Sequence, residues 1–197
     1  MSAAPKILLS IEEYLEAEKQ APYKSEYFKG EVFAMAGASP NHNRILGNLY
    51  TTIGIYLKKK KYQFFPSDMK VYIDRYPYFT YPDVTIVCEK PEYFDQDEHV
   101  LLNPTAIIEV LSPSTANYDK GNKFALLRNA IPTLDEYILI SSYSYMAEAY
   151  YRMEGTIWGQ TVDCKDINKD IIIKSIDLII PMKEIYENVD ITKFNLQ

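Results

Sequence analysis

The sequence predicts an α/β protein in which helices flank a mixed β-sheet. Short apolar runs rich in β-branched residues are bounded by turn-forming residues, and stretches of helical periodicity alternate with them along the chain. The 197 residues are 47% hydrophobic, which is enough to bury the core of one domain of ordinary size. Because no repeat or Gly/Ser-rich linker interrupts the chain, we expect a single domain over residues 1–197.

The first third of the chain predicts two helices and a hairpin. Residues Ser10–Glu13 form a capping-box pattern, which predicts a short helix that ends near Gln20. Residues 26–36 predict two strands around a tight turn at Gly30, where a glycine adopts positive φ without strain. Ser39-Pro40 supplies a cap and a first-turn proline for the main helix, in which apolar residues recur at helical spacing.

The remaining elements are predicted in turn from their hydrophobic patterns. Residues 85–88 and 106–111 are apolar enough to be central strands that are covered on both faces. The acidic residues 89–103 between them predict an exposed connection or a short helix. The other predictions are strands at 69–73, 135–141, 146–153 and 171–173, a helix at 117–130 and a closing helix at 181–189.

Composition excludes some classes of protein. The net charge of −6 argues against a sequence-independent nucleic-acid coat, and the basic run Lys58–Lys61 is typical of a solvated helix end. The apolar runs are too short to cross a bilayer and no basic-then-apolar leader is present, so we expect a soluble cytoplasmic protein without membrane association. Cys88 and Cys164 lack paired spacing and are expected to be free thiols.

Two carboxylates stand out within the predicted core strands. Asp83 opens one strand after Pro82, and Glu109 lies in the middle of another. An ionised carboxylate in apolar surroundings needs a cation or hydrogen bonds, and hard divalent ions prefer oxygen ligands. If the strands are neighbours, Asp83, Glu109 and the backbone carbonyl of Val110 make an open site for Mg²⁺ or Mn²⁺. Such a site suits metal-assisted phosphodiester hydrolysis, aided by a nearby lysine.

The same residues resemble a known superfamily. Pro82-Asp83, followed after 25 residues by Glu109-Val110-Leu111, resembles the PD-(D/E)XK nuclease pattern. The longer run Ile108–Thr115, followed by Asp119–Lys123, resembles a bacterial family of restriction endonucleases. The resemblance covers most of the chain and implies a restriction-endonuclease-like fold, a divalent metal cofactor and a nucleic-acid substrate, DNA before RNA.

This chain departs from the superfamily pattern at Leu111, which occupies the position of the motif lysine. The resemblance implies that the lysine has moved to the following helix. Lys123 is therefore the first candidate, Lys120 the second and Lys70, on the preceding strand, the third. Lys123 and Asp119 are four residues apart and share a helix face; the alternative is an ordinary pair of solvated helix residues.

Two further positions carry open alternatives. In this superfamily an acidic residue of the first helix or hairpin often completes the metal shell, which points to Glu31 or Glu26; a surface glutamate is the competing interpretation. His42 lies in the first turn of the main helix, where it either contacts phosphate through the helix N-terminus or is simply exposed.

The function expected from this resemblance is a Mg²⁺-dependent DNA endonuclease with Asp83, Glu109 and Lys123 as catalytic residues. One alternative is a nuclease fold kept as an inactive nucleic-acid-binding or assembly module, because Leu111 removes the motif lysine. Another is a metal hydrolase acting on a small phosphorylated substrate. Many nucleases of this fold are dimers, and the 18 tyrosines could supply the interface of a homodimer.

Overall fold

A computed structural model describes residues 8–95 and 97–192 of the chain. The helical segments are α1 (Ile11–Gln20), α2 (Pro40–Leu57), α3 (Ala116–Tyr118), a π-helical turn (Asp119–Lys123), α4 (Phe124–Ala130), a 3₁₀ turn (Lys174–Ile176) and α5 (Met182–Ile185). The strands are β1 (Ser25–Phe28), β2 (Glu31–Ala34), β3 (Gln63–Pro66), β4 (Lys70–Ile73), β5 (Tyr78–Thr80), β6 (Val84–Val87), β7 (Tyr93–Phe94), β8 (Asp97–Leu101), β9 (Ala106–Leu111), β10 (Glu136–Ser141), β11 (Ala147–Glu154), β12 (Ile157–Cys164), β13 (Asp170–Ile173) and β14 (Leu178–Pro181).

The central sheet has the strand order β12-β11-β10-β9-β6-β3. Strands β9 and β10 are parallel, whereas β6 pairs antiparallel with β9 through Val84 and Ile108. Side chains alternate between the two faces of a strand, so Ile108 packs on the side of α2, and Ile107 packs on the side of α4. The two strands predicted to be central are therefore neighbours that are covered on both faces.

A second six-stranded sheet, which we call the hairpin sheet, has the order β2-β1-β5-β4-β8-β7. One of its faces packs with α1 around a cluster of aromatic rings that includes Tyr14, Tyr27 and Phe79. Val71 and Ile73 of β4 belong instead to the apolar layer shared with the central sheet and α4. The hairpin sheet and the central sheet thus enclose a common core.

The composite helix, residues 116–130, consists of α3, the π-helical turn and α4 in succession. It packs against the central sheet, where the ring of Phe124 stacks on Tyr137 with centroids 4.7 Å apart. Leu127, one turn further along α4, is fully buried. The prediction of a helix at 117–130 is confirmed, with a wider turn at its centre.

The predicted α/β class with a mixed sheet flanked by helices is confirmed, and the hairpin sheet is an addition to it. The Ser10 capping box is present, and β9 has the predicted bounds.

The expectation of a connection at 89–103 was wrong, because β7 and β8 lie there. Only the C-terminal end of β8, Val100 and Leu101, is buried. The other half faces solvent, and its acidic residues therefore resemble those of a loop. The closing helix is shorter than predicted, and β12 was not predicted.

The basic run and the two cysteines are in the environments that the composition predicts. Lys58–Lys61 are exposed at the end of α2, and both Cys88 and Cys164 are free. Within residues 8–95 and 97–192, no helix combines the length and the apolar character needed to cross a membrane.

Candidate active site

Asp83 lies immediately before β6, at the end of the central sheet that faces the N-terminus of α2. Continuing the β6–β9 register by one residue places it beside Glu109. Its Oδ2 accepts a hydrogen bond from the backbone N–H of Val110 at 2.7 Å. Its Oδ1 lies 3.0 Å from Nε2 of His42. These contacts hold the Asp83 carboxylate against the strand that carries Glu109.

The helix start at Ser39 explains the position of His42. The Ser39 hydroxyl caps α2 by accepting a hydrogen bond from the His42 backbone N–H at 3.2 Å, which fixes the first turn. Tyr50, two turns further along the same helix, donates a hydrogen bond from its hydroxyl to the Asp83 carbonyl at 2.9 Å. The His42 side chain is largely buried, so it is not an ordinary exposed helix residue. Helix α2 therefore anchors both the side chain and the backbone of Asp83.

Glu109 and Lys123 form a buried ion pair on the face of the central sheet that packs against the composite helix. Their side chains are only 6% and 5% exposed, and Lys123 Nζ lies 2.8 Å from Glu109 Oε1. The same ammonium lies 3.4 Å from Glu26 Oε1 and 4.0 Å from Asp119 Oδ1. One lysine is thus surrounded by three carboxylates, and the interpretation of Asp119 and Lys123 as solvated helix residues was wrong.

The π-helical turn brings Asp119 and Lys123 to this position. Such a turn widens the helix locally and is frequently found at functional sites. The Tyr137 hydroxyl donates a hydrogen bond to the Asp119 carbonyl at 3.0 Å and joins the turn to the central sheet. Both charged side chains of the turn are consequently directed into the protein.

Glu26 is the hairpin carboxylate that contacts Lys123. It accepts hydrogen bonds from the hydroxyls of Tyr78, at 3.1 Å, and Thr80 on the neighbouring strand β5. Glu31 pairs with Phe28 across the hairpin, nearer to the turn and on the same face of the sheet as Glu26. Of the two glutamates that the sequence offered, the structure brings Glu26 to the cluster through a direct ion-pair contact.

The burial of these groups shifts their protonation equilibria. Burial raises the pKa of Glu109 to about 8 against the opposing effect of Lys123, and the Asp83 and Asp119 charges raise it further. Burial also raises the pKa of Asp119. For Lys123, burial favours the neutral amine, but Glu109 and Glu26 outweigh it and raise its pKa well above the usual range. The cluster is rich in acidic groups, and one ammonium compensates only part of their charge.

The donor atoms fit a hard divalent cation. Glu109 Oε1 is buried and makes no hydrogen bond within the part of the chain that the structure describes, although the Lys123 ammonium is close to it. Each oxygen of Asp83 has one hydrogen-bond contact and keeps a free lone pair. Among residues 8–95 and 97–192 no three His, Cys, Asp or Glu side chains form a ligand group, so an ion held here would use two carboxylates, backbone oxygen and water. Mg²⁺ and Mn²⁺ accept that combination.

The other two candidate lysines lie elsewhere. Lys120 pairs with Glu148 of β11 at 2.8 Å. Lys70 lies 5.5 Å from the ring centroid of Tyr81, and burial lowers its pKa. Leu111 is fully buried in the core. Lys123 is accordingly the candidate that contacts the motif glutamate.

The contact between His42 and Asp83 was not predicted. The sequence did single out the Ser39-Pro40-Asn41-His42 helix start, but it contains no signal that joins this helix to the strand 41 residues later. The bonds from Tyr78 and Thr80 to Glu26 were also missed, because strand β5 itself was not predicted. Both contacts depend on the packing of elements that are distant in sequence.

Comparisons with known proteins agree with this architecture. A family model named Uma2, described as "Putative restriction endonuclease", matches residues 11–168. Two uncharacterized proteins of Synechocystis sp. are 39% identical over 158 residues and 36% identical over 156 residues. The first alignment covers 80% of this chain and 89% of the relative, and the second covers 79% and 80%.

A solved structure has the same fold. The crystal structure of a "putative nuclease belonging to DUF820" from Anabaena variabilis superposes with a TM-score of 0.71. The superposition covers 92% of this chain and 99% of the other at 15% identity. Because the family match spans most of the chain, including Asp83, Glu109 and Lys123, the protein belongs to the Uma2 family.

Proposed function

We propose that this protein is a metal-dependent endonuclease that hydrolyses phosphodiester bonds in DNA. The observation that carries the proposal is the buried contact of 2.8 Å between Lys123 and Glu109, at the end of the sheet where Asp83 is bound to the backbone of Val110. A lysine from the following helix thereby reaches the motif glutamate, although Leu111 occupies the usual lysine position. The family description and the name of the solved relative both point to a nuclease.

In this proposal the carboxylates bind the metal ion and the lysine acts on water and phosphate. Asp83, Glu109 and the Val110 carbonyl would hold Mg²⁺ or Mn²⁺. When bound, such an ion lowers the pKa of a water molecule and neutralises charge on the scissile phosphate. Lys123 carries a persistent positive charge, so it can orient the attacking water and stabilise the charge that develops on the phosphate.

Three supporting residues act through Asp83 and Lys123. His42 orients the Asp83 carboxylate by hydrogen bonding to Oδ1. Glu26 helps to keep the Lys123 ammonium protonated, and Glu26 and Asp119 both lie close enough to limit its movement. Glu31 stays a predicted ligand, because it lies on the same hairpin face as Glu26.

DNA cleavage by matched variants tests the proposal. Wild type should nick supercoiled DNA with Mg²⁺ or Mn²⁺, and Asp83→Asn and Glu109→Gln should each lose at least about a hundredfold in rate. Glu148→Gln is the control, because Glu148 forms an ion pair of the same length outside the cluster. Thermal melting verifies that each variant folds.

Three outcomes would contradict the proposal. Cleavage that survives both substitutions would show that another protein or another site cuts the DNA. DNA binding without cleavage, together with no heat on titration with millimolar Mn²⁺, would instead support the inactive binding module. Hydrolysis of small phosphodiesters without affinity for DNA would support a small-substrate hydrolase.

The proposed homodimer and cytoplasmic location stay predictions. The exposed edge strand β2, with Val32 and Phe33 on its surface, offers apolar area at which two copies could meet. Light scattering of the purified protein distinguishes a dimer from a monomer. A molecular mass near the 22.8 kDa of one chain would contradict the dimer.

A further inference from the structure

A cavity of about 630 Å³ opens beside the proposed active site. Glu26, which contacts Lys123 on one side, is also part of the cavity wall. The volume lies within the range of ~300–1,000 Å³ that small-molecule sites occupy. The Glu26 side chain therefore belongs both to the cavity wall and to the acidic cluster around Lys123.

One wall of the cavity is a face of the hairpin sheet. Glu26 pairs with Phe33, and Phe28 pairs with both Glu31 and Tyr78, so their side chains share one face. The rings of Phe28 and Tyr78 meet edge to face with centroids 5.7 Å apart. This wall is therefore aromatic next to the carboxylate of Glu26.

The opposite wall is one face of the composite helix. Tyr118, Asn122, Leu126 and Asn129 follow one another at helical spacing and all line the cavity. Tyr118 is bonded to the first wall, since its hydroxyl lies 3.1 Å from that of Tyr78. The two asparagines add amide groups, which can both donate and accept hydrogen bonds.

Two exposed cations lie against the aromatic residues of the cavity. Lys29 Nζ is 5.3 Å from the ring centroid of Phe28 and 5.6 Å from that of Tyr76. The Arg75 guanidinium is 5.5 Å from the Tyr76 ring and donates a hydrogen bond to the Asn129 carbonyl at 3.0 Å. In a chain of net charge −6, this region offers positive charge next to aromatic surface.

We propose that the cavity binds an unpaired nucleobase of the substrate, held among the aromatic side chains while Lys29 and Arg75 contact the adjoining phosphates. Proteins bind single strands by this combination of aromatic rings and basic groups, because every base has a face that can stack. A base in a duplex is already stacked and has to be extruded before it can enter a cavity. The substrate class is therefore DNA that carries an unpaired nucleotide beside the scissile bond.

This inference rests on the proposed nuclease function for its location, but its test needs no cleavage. Binding is measured in EDTA by fluorescence anisotropy with two labelled strands of equal charge. One is an oligothymidine of about 16 nucleotides, and the other has the same backbone with abasic units. Wild type should bind the oligothymidine at least about fivefold more tightly, since stacking of one base contributes about 5- to 150-fold in affinity.

Phe33→Ala should remove most of that preference and leave binding to the abasic strand unchanged. Phe33 is 48% exposed, so its truncation should not unfold the protein. Val32→Ala is the matched control: Val32 is 43% exposed on the same strand but pairs with Tyr27 on the opposite face. Tyr118→Ala tests the helix wall in the same way.

Equal affinity of wild type for the two strands would overturn the inference, and so would a preference that survives both Phe33→Ala and Tyr118→Ala. If wild type nevertheless cleaves DNA, the proposed nuclease function stands without this pocket. If wild type cleaves nothing, but its preference for bases is lost in Phe33→Ala, the cavity assignment stands and the nuclease function fails.

Discussion

Two lysines three residues apart in the composite helix form ion pairs of equal length in different environments. Lys123 and Glu109 are 2.8 Å apart with 5% and 6% of their side chains exposed. Lys120 and Glu148 are also 2.8 Å apart, with 36% and 14% exposed. Removing charges from water costs free energy that a partner offsets only in part, whereas a more exposed pair contributes little in either direction.

The difference shows that burial, more than distance, separates a candidate functional pair from a surface contact. Apolar packing of the same volume is often at least as stabilising as a buried lysine among carboxylates. Such perturbed groups are found more often at functional sites, although structural ion-pair networks can also produce them.

The largest effect is expected for catalysis. Lys123→Ala should lower the rate of DNA cleavage by about 10²–10³-fold, because it removes the positive charge beside the scissile phosphate. Lys120→Ala should remain within about twofold of wild type, since surface substitutions away from a site usually have small effects. Cleavage rates measured under single-turnover conditions make the comparison. Equal losses in the two variants would show that burial does not identify the functional lysine.

The second effect concerns stability and pH in metal-free protein. The folded-state pKa of Glu109, about 8, is raised above its usual value of 4.5, so its protonated form favours folding. That contribution is complete below pH 4.5 and is lost as the pH rises to about 8. Glu109→Gln cannot ionise and does not lose this contribution. As the pH rises from 4.5 to about 8, its unfolding free energy should therefore increase relative to that of wild type by a few kcal/mol.

Urea denaturation in EDTA at several pH values measures this difference, with Glu148→Gln as the control from the more exposed pair. If burial did not penalise ionisation of Glu109, plots of unfolding free energy against pH would be parallel for wild type and Glu109→Gln. That result would contradict the electrostatic description of the site.

A smaller effect is expected at His42. Its ring bonds to Asp83 Oδ1, and outer partners of metal ligands typically contribute about 10–100-fold in metal affinity. His42→Ala should weaken Mn²⁺ binding by that factor, as measured by isothermal titration calorimetry. Asn43→Ala, at the exposed neighbouring position of α2, is the control. Unchanged affinity in His42→Ala would show that the bond does not orient a metal ligand.

The smallest effect is expected for the pair between Lys120 and Glu148. A double-mutant cycle of Lys120→Ala and Glu148→Ala should give a coupling free energy below about 1 kcal/mol. Urea denaturation of the four proteins supplies the values. A coupling of several kcal/mol would place this pair in the same class as the buried one and remove the contrast.

Local patterns predicted most of the elements that carry the site. The capping box at Ser10 and the cap at Ser39 set the starts of two helices, and the apolar run of β9 set its bounds. The metal site predicted from the two core carboxylates required their strands to be neighbours, and the pairing of β6 with β9 meets that condition. These features depend on residues close in sequence, where hydrophobic periodicity and capping chemistry act directly.

The features that were missed depend on contacts between distant segments. Strand β8 is acidic in its first half, and its pairing with β4 and β7 makes it a strand. Glu26 and Glu31 are equivalent in sequence, and the position of Lys123 distinguishes them. The contact of His42 with Asp83 arises from packing of α2 on the central sheet. The catalytic and metal-binding roles of these residues remain predictions.

The central claim is that Asp83 and Glu109 jointly bind a divalent cation. A crystal soaked in Mn²⁺ and measured at a wavelength with strong manganese anomalous scattering tests it most directly. We predict an anomalous peak within about 2 Å of both carboxylates and of the Val110 carbonyl oxygen. A fully occupied Mn²⁺ elsewhere, with these two carboxylates pointing away from each other, would contradict the account.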